Sequence, residues 1–338
     1  MPDHRFAVII PFYQREPGIL ARALESIGQQ QIPDGWLVEV IVVDDASPSP
    51  ADEEIGNLTS DGPLRLRVIR QEHGGVAAAR NRALDEADKD TALIAFLDSD
   101  DIWPATHLER MISALTAGYD FCFTDSRRSG YYDSYLRECA GETGSYIAVA
   151  EKKAGFSVIA QDEFLGLMLK EFPAQVSTVA YKRRIAPDLR FDTRLKAAGE
   201  DLLFLCMLVS MASSVAFDQV NCVECGEGLN MYFGNLSRYS PKRLAICVDQ
   251  LIARKLIDKT VRLSPERRKQ NDAIIKHFRR QFVFQTARSI VKFPDRVPKA
   301  IVDLIKNDTV TAMLLPIEIL GAGFTLLRRH YGTSSPID

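Results

Sequence analysis

Several things are missing from this 338-residue chain, and each absence closes off a class of protein. The opening Met-Pro-Asp-His-Arg runs straight into a strand pattern, without the basic and apolar leader that secretion uses. Its six cysteines are scattered with no paired framework, so a reducing cytoplasm is the expected setting. Cys222 and Cys225 form one Cys-x-x-Cys; a zinc site wants a second ligand pair, and with none nearby buried free thiols are expected. There is no Gly-x-Gly-x-x-Gly and no phosphate-loop lysine, which leaves the dinucleotide-binding and P-loop folds without support. A long apolar run is also absent. Val310 to Leu327 is mostly apolar but contains Pro316 and Glu318 and ends in Arg328 and Arg329, whereas a bilayer core needs roughly 20 uninterrupted apolar residues. A helix lying in the membrane interface, or one packed on this chain or a second copy, fits that segment better than a span.

What is present is enough apolar material, 46% of residues against 26% charged, for one large core or two moderate ones. The net charge of −3 hides an asymmetry: residues 1–240 carry 23 basic and 36 acidic side chains, residues 241–338 carry 19 and 9. A basic C-terminal part suits an anionic surface, membrane or nucleic acid, or else is the solvated face of amphipathic helices.

Strand and helix patterns alternate through the first 126 residues. Strands are expected at 6–10, 37–43, 64–69, 92–97 and 119–124, helices at 18–31, 76–87 and 108–115. Such alternation implies βαβ units and a mainly parallel, doubly wound sheet with helices on both faces. Residues 127–158, rich in Gly, Ser and charge with Tyr131, Tyr132, Tyr135 and Tyr146, read as a long surface excursion, functional or mobile. A helix at 161–170, a strand at 176–181, an apolar helix at 201–212 and a strand at 214–220 follow. From Pro241 the pattern is helical, with candidates at 244–261, 265–292 and 297–305. A catalytic domain over 1–238 and a basic helical region over 239–338 are the expected division.

The most informative stretch is Ile94-Ala-Phe-Leu-Asp-Ser-Asp-Asp101, an apolar run ending in three acids. In an open α/β sheet, ligands gather beyond the carboxyl ends of such strands. Like charges crowded there need a cation, and a hard divalent ion sharing phosphate oxygens suits carboxylates. Three more clusters occupy comparable places. Pro11-Phe-Tyr-Gln-Arg15 offers Tyr13 to stack a base, and Asp45 of Val42-Val-Asp-Asp-Ala-Ser47 could accept a nucleobase N–H. His73-Gly-Gly-Val-Ala-Ala-Ala-Arg-Asn81 is a glycine turn feeding a helix, where Gly75 and Arg80 could face phosphate. Taken singly each is weak, since paired aspartates also cap helices. Together, in this order, they are not.

These motifs, with Ala198-Gly-Glu-Asp-Leu202, resemble a family 2 glycosyltransferase of the GT-A fold, over residues 5–205. The basic helical end resembles the bacterial exopolysaccharide glucosyltransferases of the succinoglycan type. The resemblance implies that Tyr13 and Asp45 hold the uracil of a UDP-sugar, with Pro11 and Gly75 in the same pocket and Arg80 facing the nucleotide. It implies Asp98 and Asp100 as the pair that binds Mg2+ or Mn2+, Asp201 as catalytic base, and Glu200 as a supporting or acceptor-binding acid. Trp103 either packs beneath the acids or lines the sugar site, and the four tyrosines either stack on acceptor sugars or cover the sheet edge. The family often places a metal-completing histidine where Asn230-Met-Tyr-Phe-Gly-Asn-Leu-Ser237 has Tyr232, and Gln14 stands where Asn is common.

One base without a spare nucleophile implies single displacement with inversion, giving a β-linkage from an α-linked donor. An oligosaccharide acceptor carried on a lipid diphosphate would suit the basic C-terminal region, as would peripheral attachment to the inner face of the cytoplasmic membrane. Nucleic acid is not expected as a partner; a homodimer is compatible. Two other readings use the same acids. A sugar-1-phosphate nucleotidyltransferase would want a Gly-rich, Lys-bearing loop after the first strand, and a non-catalytic nucleotide-sugar-binding protein would have little need of intact acids.

Overall fold

The computed structural model describes residues 4–55, 62–140, 151–153, 155–226 and 241–292, with single positions at 302 and 313. The first half runs β1 (His4–Phe12), α1 (Ile19–Gly28), β2 (Trp36–Asp44), β3 (Leu64–Arg70), α2 (Val76–Glu86), β4 (Thr91–Phe96), α3 (His107–Thr116) and β5 (Phe121–Arg127). Then come α4 (Tyr135–Ala140), β6 (Glu151–Lys153), β7 (Phe156–Ile159), α5 (Gln161–Lys170), β8 (Val179–Lys182), α6 (Glu200–Met211) and β9 (Val215–Glu224). Two long helices follow, α7 (Pro241–Thr260) and α8 (Pro265–Lys292).

Period-two alternation in β1 builds the layers. Phe6, Val8, Ile10 and Phe12 pack with Leu20, Leu24 and Ile27 of α1 and Leu108, Met111 and Leu115 of α3. Ala7 and Ile9 join the opposite layer, with Ala79 and Ala83 of α2, Phe164 of α5 and Phe204 of α6. A strand apolar on both faces is the mark of a sheet covered on both sides. The nine strands run in the order β3-β2-β1-β4-β8-β5-β9-β7-β6. The first four are parallel neighbours, as are β5 and β9. β8 runs antiparallel between β4 and β5, and the β6–β7 hairpin is antiparallel to its surroundings. The strand order reverses at β1, flanked by β2 and β4, so the loops after these three strands open one crevice.

Three segments differ from their sequence patterns. The stretch 127–158 is not a bare excursion: β5 reaches Arg127, and α4, β6 and β7 lie within it. Asp125 anchors α4, accepting the Leu136 N–H at 3.0 Å and the Ser134 hydroxyl. Phe156 and Ile159 are buried where β7 joins β9; four residues are too few for a periodic signal. The strand expected at 176–181 begins as a 3-10 turn at Val176–Thr178 before β8. In β9 the register jumps, Asp218 opposing Thr124 but Cys222 opposing Asp125. The extra residues bulge outward beside Asp218, whose fully buried carboxylate holds Arg110 at 2.6 Å.

α7 and α8 pair through Leu244, Val248, Leu251, Ile275, Phe282 and Val283. Ala253 and Ile257 of α7, and Val261 just after it, also belong to the buried cluster that contains Ile9 of β1 and Phe204 of α6. Among the described residues no helix is long and apolar enough to cross a membrane. The candidates at 297–305 and 310–327, apart from positions 302 and 313, lie outside the described residues. All six cysteines are free, with Cys225 buried and Cys222 partly so.

Because Ile257 is fully buried in the shared core, Ile257→Ala should cost about 2–5 kcal/mol. Both tryptophans lie at the sheet, Trp36 in β2 and Trp103 beyond β4, and none lies in α7. In urea unfolding followed by tryptophan fluorescence, the transition should shift as one. A tryptophan signal untouched by the substitution would mean that α7 unfolds separately.

Candidate active site

After β4 the chain makes a tight turn, Asp101 N–H donating to the Asp98 carbonyl at 3.0 Å. Asp98 is the most open of the three acids, with about a third of its side chain exposed. Asp100 is partly buried, and burial together with the charge of Asp98 pushes its carboxyl up to about 6. Asp101 is 6% exposed and accepts the Gly226 N–H at 2.9 Å. Burial first, then Asp100 and Asp98, hold its carboxyl well above the ordinary range. The pairing of Ile102 with Glu224 brings the end of β9 against this turn. A Cβ at Gly226 would collide with the backbone of Asp100, so the two segments meet as closely as glycine permits.

Arg80, on the buried face of α2 and 3% exposed, joins the acid turn to the opposite wall. Its Nη2 lies 2.7 Å from Asp98 Oδ1 and its Nη1 3.3 Å from Glu200 Oε1. Burial opposes the charge, and Asp98 and Glu200 more than offset it, so the guanidinium stays protonated above its usual pKa. Its underside rests on Phe191 at 5.1 Å, and Phe191 stacks on Phe204 of α6 at 3.9 Å. Asn81, next in sequence, fixes Phe191 by two hydrogen bonds to its backbone N–H and carbonyl, at 2.7 and 2.9 Å.

Glu200 and Asp201 open α6 behind Gly199, which adopts φ +86°. A Cβ at Gly199 would sit 2.9 Å from the Ala253 Cβ of α7. Asp249, also of α7, accepts the N–H groups of Lys196 and Ala197 at 2.9 and 2.6 Å. The loop that delivers the two acids is therefore held from the C-terminal helices. Burial and the neighbouring Asp201 push Glu200 up to about 7 against the pull of Arg80. Asp201 is likewise raised, by burial, while Arg80 and the Leu202 N–H at 2.7 Å oppose it. These acids feel one another across the crevice, Asp98 contributing to the shifts of both.

The nucleobase end departs from its expected roles. Asp45 is 2% exposed, and its carboxylate accepts from Gln71, Gly74 and Gly75 at 2.7, 2.7 and 2.8 Å. The His73 ring adds a contact at 2.9 Å. Internal donors occupy the oxygens that were offered to a base, and the Gly75 amide expected to face phosphate is turned onto Asp45. A buried carboxylate collects whatever N–H groups the glycine turn leaves unpaired. What stays open here is Tyr13, partly buried and 4.9 Å from the more exposed His73 ring. Pro11 is buried within β1, opposite Val43.

Of the two readings of Trp103, packing beneath the acids and lining the sugar site as an acceptor contact, the structure has packing. It is 2% exposed, donates its indole N–H to the Ser177 carbonyl at 2.7 Å and stacks on His107 at 4.2 Å. An apolar core beneath the acids claims the large ring. Tyr135 donates to the Glu171 carbonyl at 3.1 Å and pairs with Tyr132, whereas Tyr131 is 60% exposed. Tyr146 and Tyr232 lie outside the described residues. Sequence reasoning passed over Ser177, Phe191 and Gly226. Only Gly226, a glycine just after a strand, carried even a faint signal.

Among the described residues no set of three His, Cys, Asp or Glu side chains is arranged to chelate a metal. The crowding that raises Asp100 nevertheless fits a hard divalent cation held by Asp98 and Asp100, provided that diphosphate oxygens and water supply the remaining ligands.

Arg80 stands between carboxylates with no other side chain bonded to Glu200 among the described hydrogen bonds. Arg80→Met should cost about 3–5 kcal/mol at pH 8, because it leaves buried charge unpaired. With its folded pKa above its unfolded one, Glu200 stabilises below the ordinary carboxylate range and loses that contribution as pH rises through about 7. The loss in Arg80→Met should therefore shrink at pH 5.5, where Glu200 is protonated. Equal losses in chemical denaturation at the two pH values would remove Glu200 from the pairing.

Comparison with known proteins agrees with this geometry. The family model described as Glycosyl transferase family 2 matches residues 7–153. The chain is 32% identical over 290 residues to the succinoglycan biosynthesis protein ExoW of Rhizobium meliloti (strain 1021), covering 85% of this chain and 88% of that one. It is 36% identical over 116 residues to the UDP-Glc:alpha-D-GlcNAc-diphosphoundecaprenol beta-1,3-glucosyltransferase WfgD of Escherichia coli, 34% of this chain and 42% of that protein. Among solved structures, S. aureus TarS 1-349 in complex with UDP-GlcNAc is similar with a TM-score of 0.60 at 18% identity, over 99% of this chain and 94% of the other. The mannosyltransferase PcManGT of Pyrobaculum calidifontis, in complex with GDP-Man and Mn2+, is similar with a TM-score of 0.53 at 18% identity, over 96% and 82%. At such identities the structural likeness speaks for the fold alone. With a relative matching most of both chains and the motif segments gathered on one crevice, the chain belongs to glycosyl transferase family 2 and is a glycosyltransferase of GT-A architecture.

Proposed function

We propose that this glycosyltransferase moves a hexose, glucose in the first instance, from a UDP-sugar to a hydroxyl of a growing lipid-linked oligosaccharide, with inversion and with a divalent cation. The observation that carries this reading is the Arg80 bridge, which ties the acid turn at the donor end to the acids that open α6. The relatives' names support the choice of donor and of surface-polysaccharide synthesis.

Asp98 and Asp100 would hold Mg2+ or Mn2+ against the diphosphate; the bound cation would neutralise charge growing on the leaving group. Arg80 adds fixed positive charge beside Asp98 without needing to reorganise. Asp201 takes the proton of the acceptor hydroxyl as the new bond forms. Burial raises its basicity, and the start of α6 keeps the carboxylate form accessible. Glu200, engaged by Arg80, orients the pair and borders the acceptor. With Glu200 so occupied, no second carboxylate beside Asp201 is left free among the described residues to form a covalent intermediate, which favours single displacement. Tyr13 and His73 would bracket the base, while Asp45 shapes the turn beneath them. The basic region from 241 onward would meet the anionic inner face of the cytoplasmic membrane, where a lipid-linked acceptor resides.

The reading is tested by offering a panel of UDP-sugars with lipid-linked oligosaccharide extracts and identifying products by mass spectrometry. A single added hexose from UDP-glucose, with a β-anomeric signal in NMR, is expected; retained α-configuration would end the single-displacement scheme. In the same assay Asp201→Asn should lower turnover by about 10²–10⁴-fold with UDP affinity unchanged. Turnover near the wild-type value would take Asp201 out of the base role. Asp100→Ala should remove the Mn2+-dependent part of UDP binding in calorimetry, and an unchanged Mn2+ dependence would separate Asp100 from the cation.

A further inference from the structure

Ser177 lies 79 residues from the acid turn in sequence, yet it is hydrogen-bonded to the first residue of that turn. It sits 1% exposed in the 3-10 turn before β8, the antiparallel strand between β4 and β5. Its hydroxyl oxygen accepts the Asp98 N–H at 2.9 Å. Its carbonyl accepts the Trp103 indole N–H at 2.7 Å. The start of the Asp98–Asp101 turn and the ring beneath it therefore converge on one buried residue. Asp101 is in addition pinned from the far side by the Gly226 N–H. The Asp100 carboxylate and the Asp98 oxygen not taken by Arg80 are the acid groups of the turn that lie outside this clamp.

We infer that Ser177 is a positioning residue: by holding the Asp98 amide at one end of the turn while Gly226 holds the Asp101 carboxylate at the other, it aims Asp98 and Asp100 at one cation. The inference rests on reading those two acids as the holders of a divalent ion with UDP. Asp101 then belongs to the clamp and not to the ligands. The role is a matter of geometry, since Ser177 does not touch substrate in this scheme. Groups that only orient the ligands of a metal commonly change its affinity by about 10–100-fold when removed.

The test uses the full chain and Mn2+ itself. Free Mn2+ is counted by electron paramagnetic resonance during titration with saturating UDP, and uridine binding is measured separately without metal. Ser177→Ala should raise the Mn2+ concentration for half-saturation by about tenfold or more while leaving metal-free uridine binding within twofold. Ser177→Thr keeps the hydroxyl and should restore Mn2+ affinity to near the wild-type value. A general loosening of the fold would weaken uridine binding in step, and that pattern would overturn the positioning role. So would an unchanged Mn2+ affinity in Ser177→Ala, given a wild-type protein whose UDP binding needs Mn2+. A wild-type protein indifferent to Mn2+ would instead overturn the reading of Asp98 and Asp100, and the role of Ser177 with it.

Discussion

A buried guanidinium shared by carboxylates from two distant segments is the constraint around which this crevice is built. Arg80 is held from below by Phe191 and reaches Asp98 on one side and Glu200 on the other. A charge so deeply buried is tolerable only when it is paired, and it is paired here with acids whose own burial is costly. The arrangement is mutually dependent: without the arginine the acids crowd, and without the acids the arginine is a buried charge with no partner. It also sets a fixed span between the strand that ends in acids and the helix that begins with them. In the proposed reaction that span separates the leaving diphosphate from the attacking hydroxyl, so a structural ion pair and a catalytic distance become one requirement.

The helices after residue 240 serve that span. Asp249 of α7 gathers the Lys196 and Ala197 amides, and Ala253 lies against Gly199 so closely that only glycine fits. Glu200 and Asp201 are thus placed by a segment more than forty residues downstream. Burial of Ala253 and Ile257 in the cluster of the sheet gives α7 a rigid seat from which to do so. Lys259, Arg268, Lys269, Lys276 and Arg280 stand exposed on these two helices, whose apolar side chains are buried between them and against the sheet.

Much of this was legible from residue order, and what was not has a common cause. Elements with a long, clear period, such as the strand at 37–43 and the helix at 161–170, appear within a residue or two of where periodicity placed them. The motif residues Arg80, Asp98, Asp100, Glu200 and Asp201 do converge, because the acids lie at the ends of elements whose direction the alternation already implied and Arg80 lies on the buried face of the helix between them. Short or irregular pieces escaped: β7 has four residues, and β8 is entered through a 3-10 turn. Partnership inside the crevice escaped too. Nothing in Asp44-Asp45 says that the second carboxylate turns inward to collect the amides of Gly74 and Gly75. Nothing in Trp103 says that its indole N–H finds a carbonyl in the core. Such outcomes depend on which donors the fold leaves unpaired, a property of three dimensions.

The inward turn of Asp45 bears on specificity. A base-reading carboxylate discriminates by leaving its own oxygens unpaired when the wrong ring arrives. Asp45 is satisfied by Gln71, Gly74, Gly75 and His73 before any ligand enters, so that penalty is absent at this position. Its energetic role is to brace the turn, and the ring of His73 is braced with it beside Tyr13. Flat rings in contact favour stacking, which tolerates any base, and discrimination must then come from the edges that the turn presents. Recognition of uracil in this chain would accordingly lie in the placement of the 71–75 turn, with Asp45 acting through it.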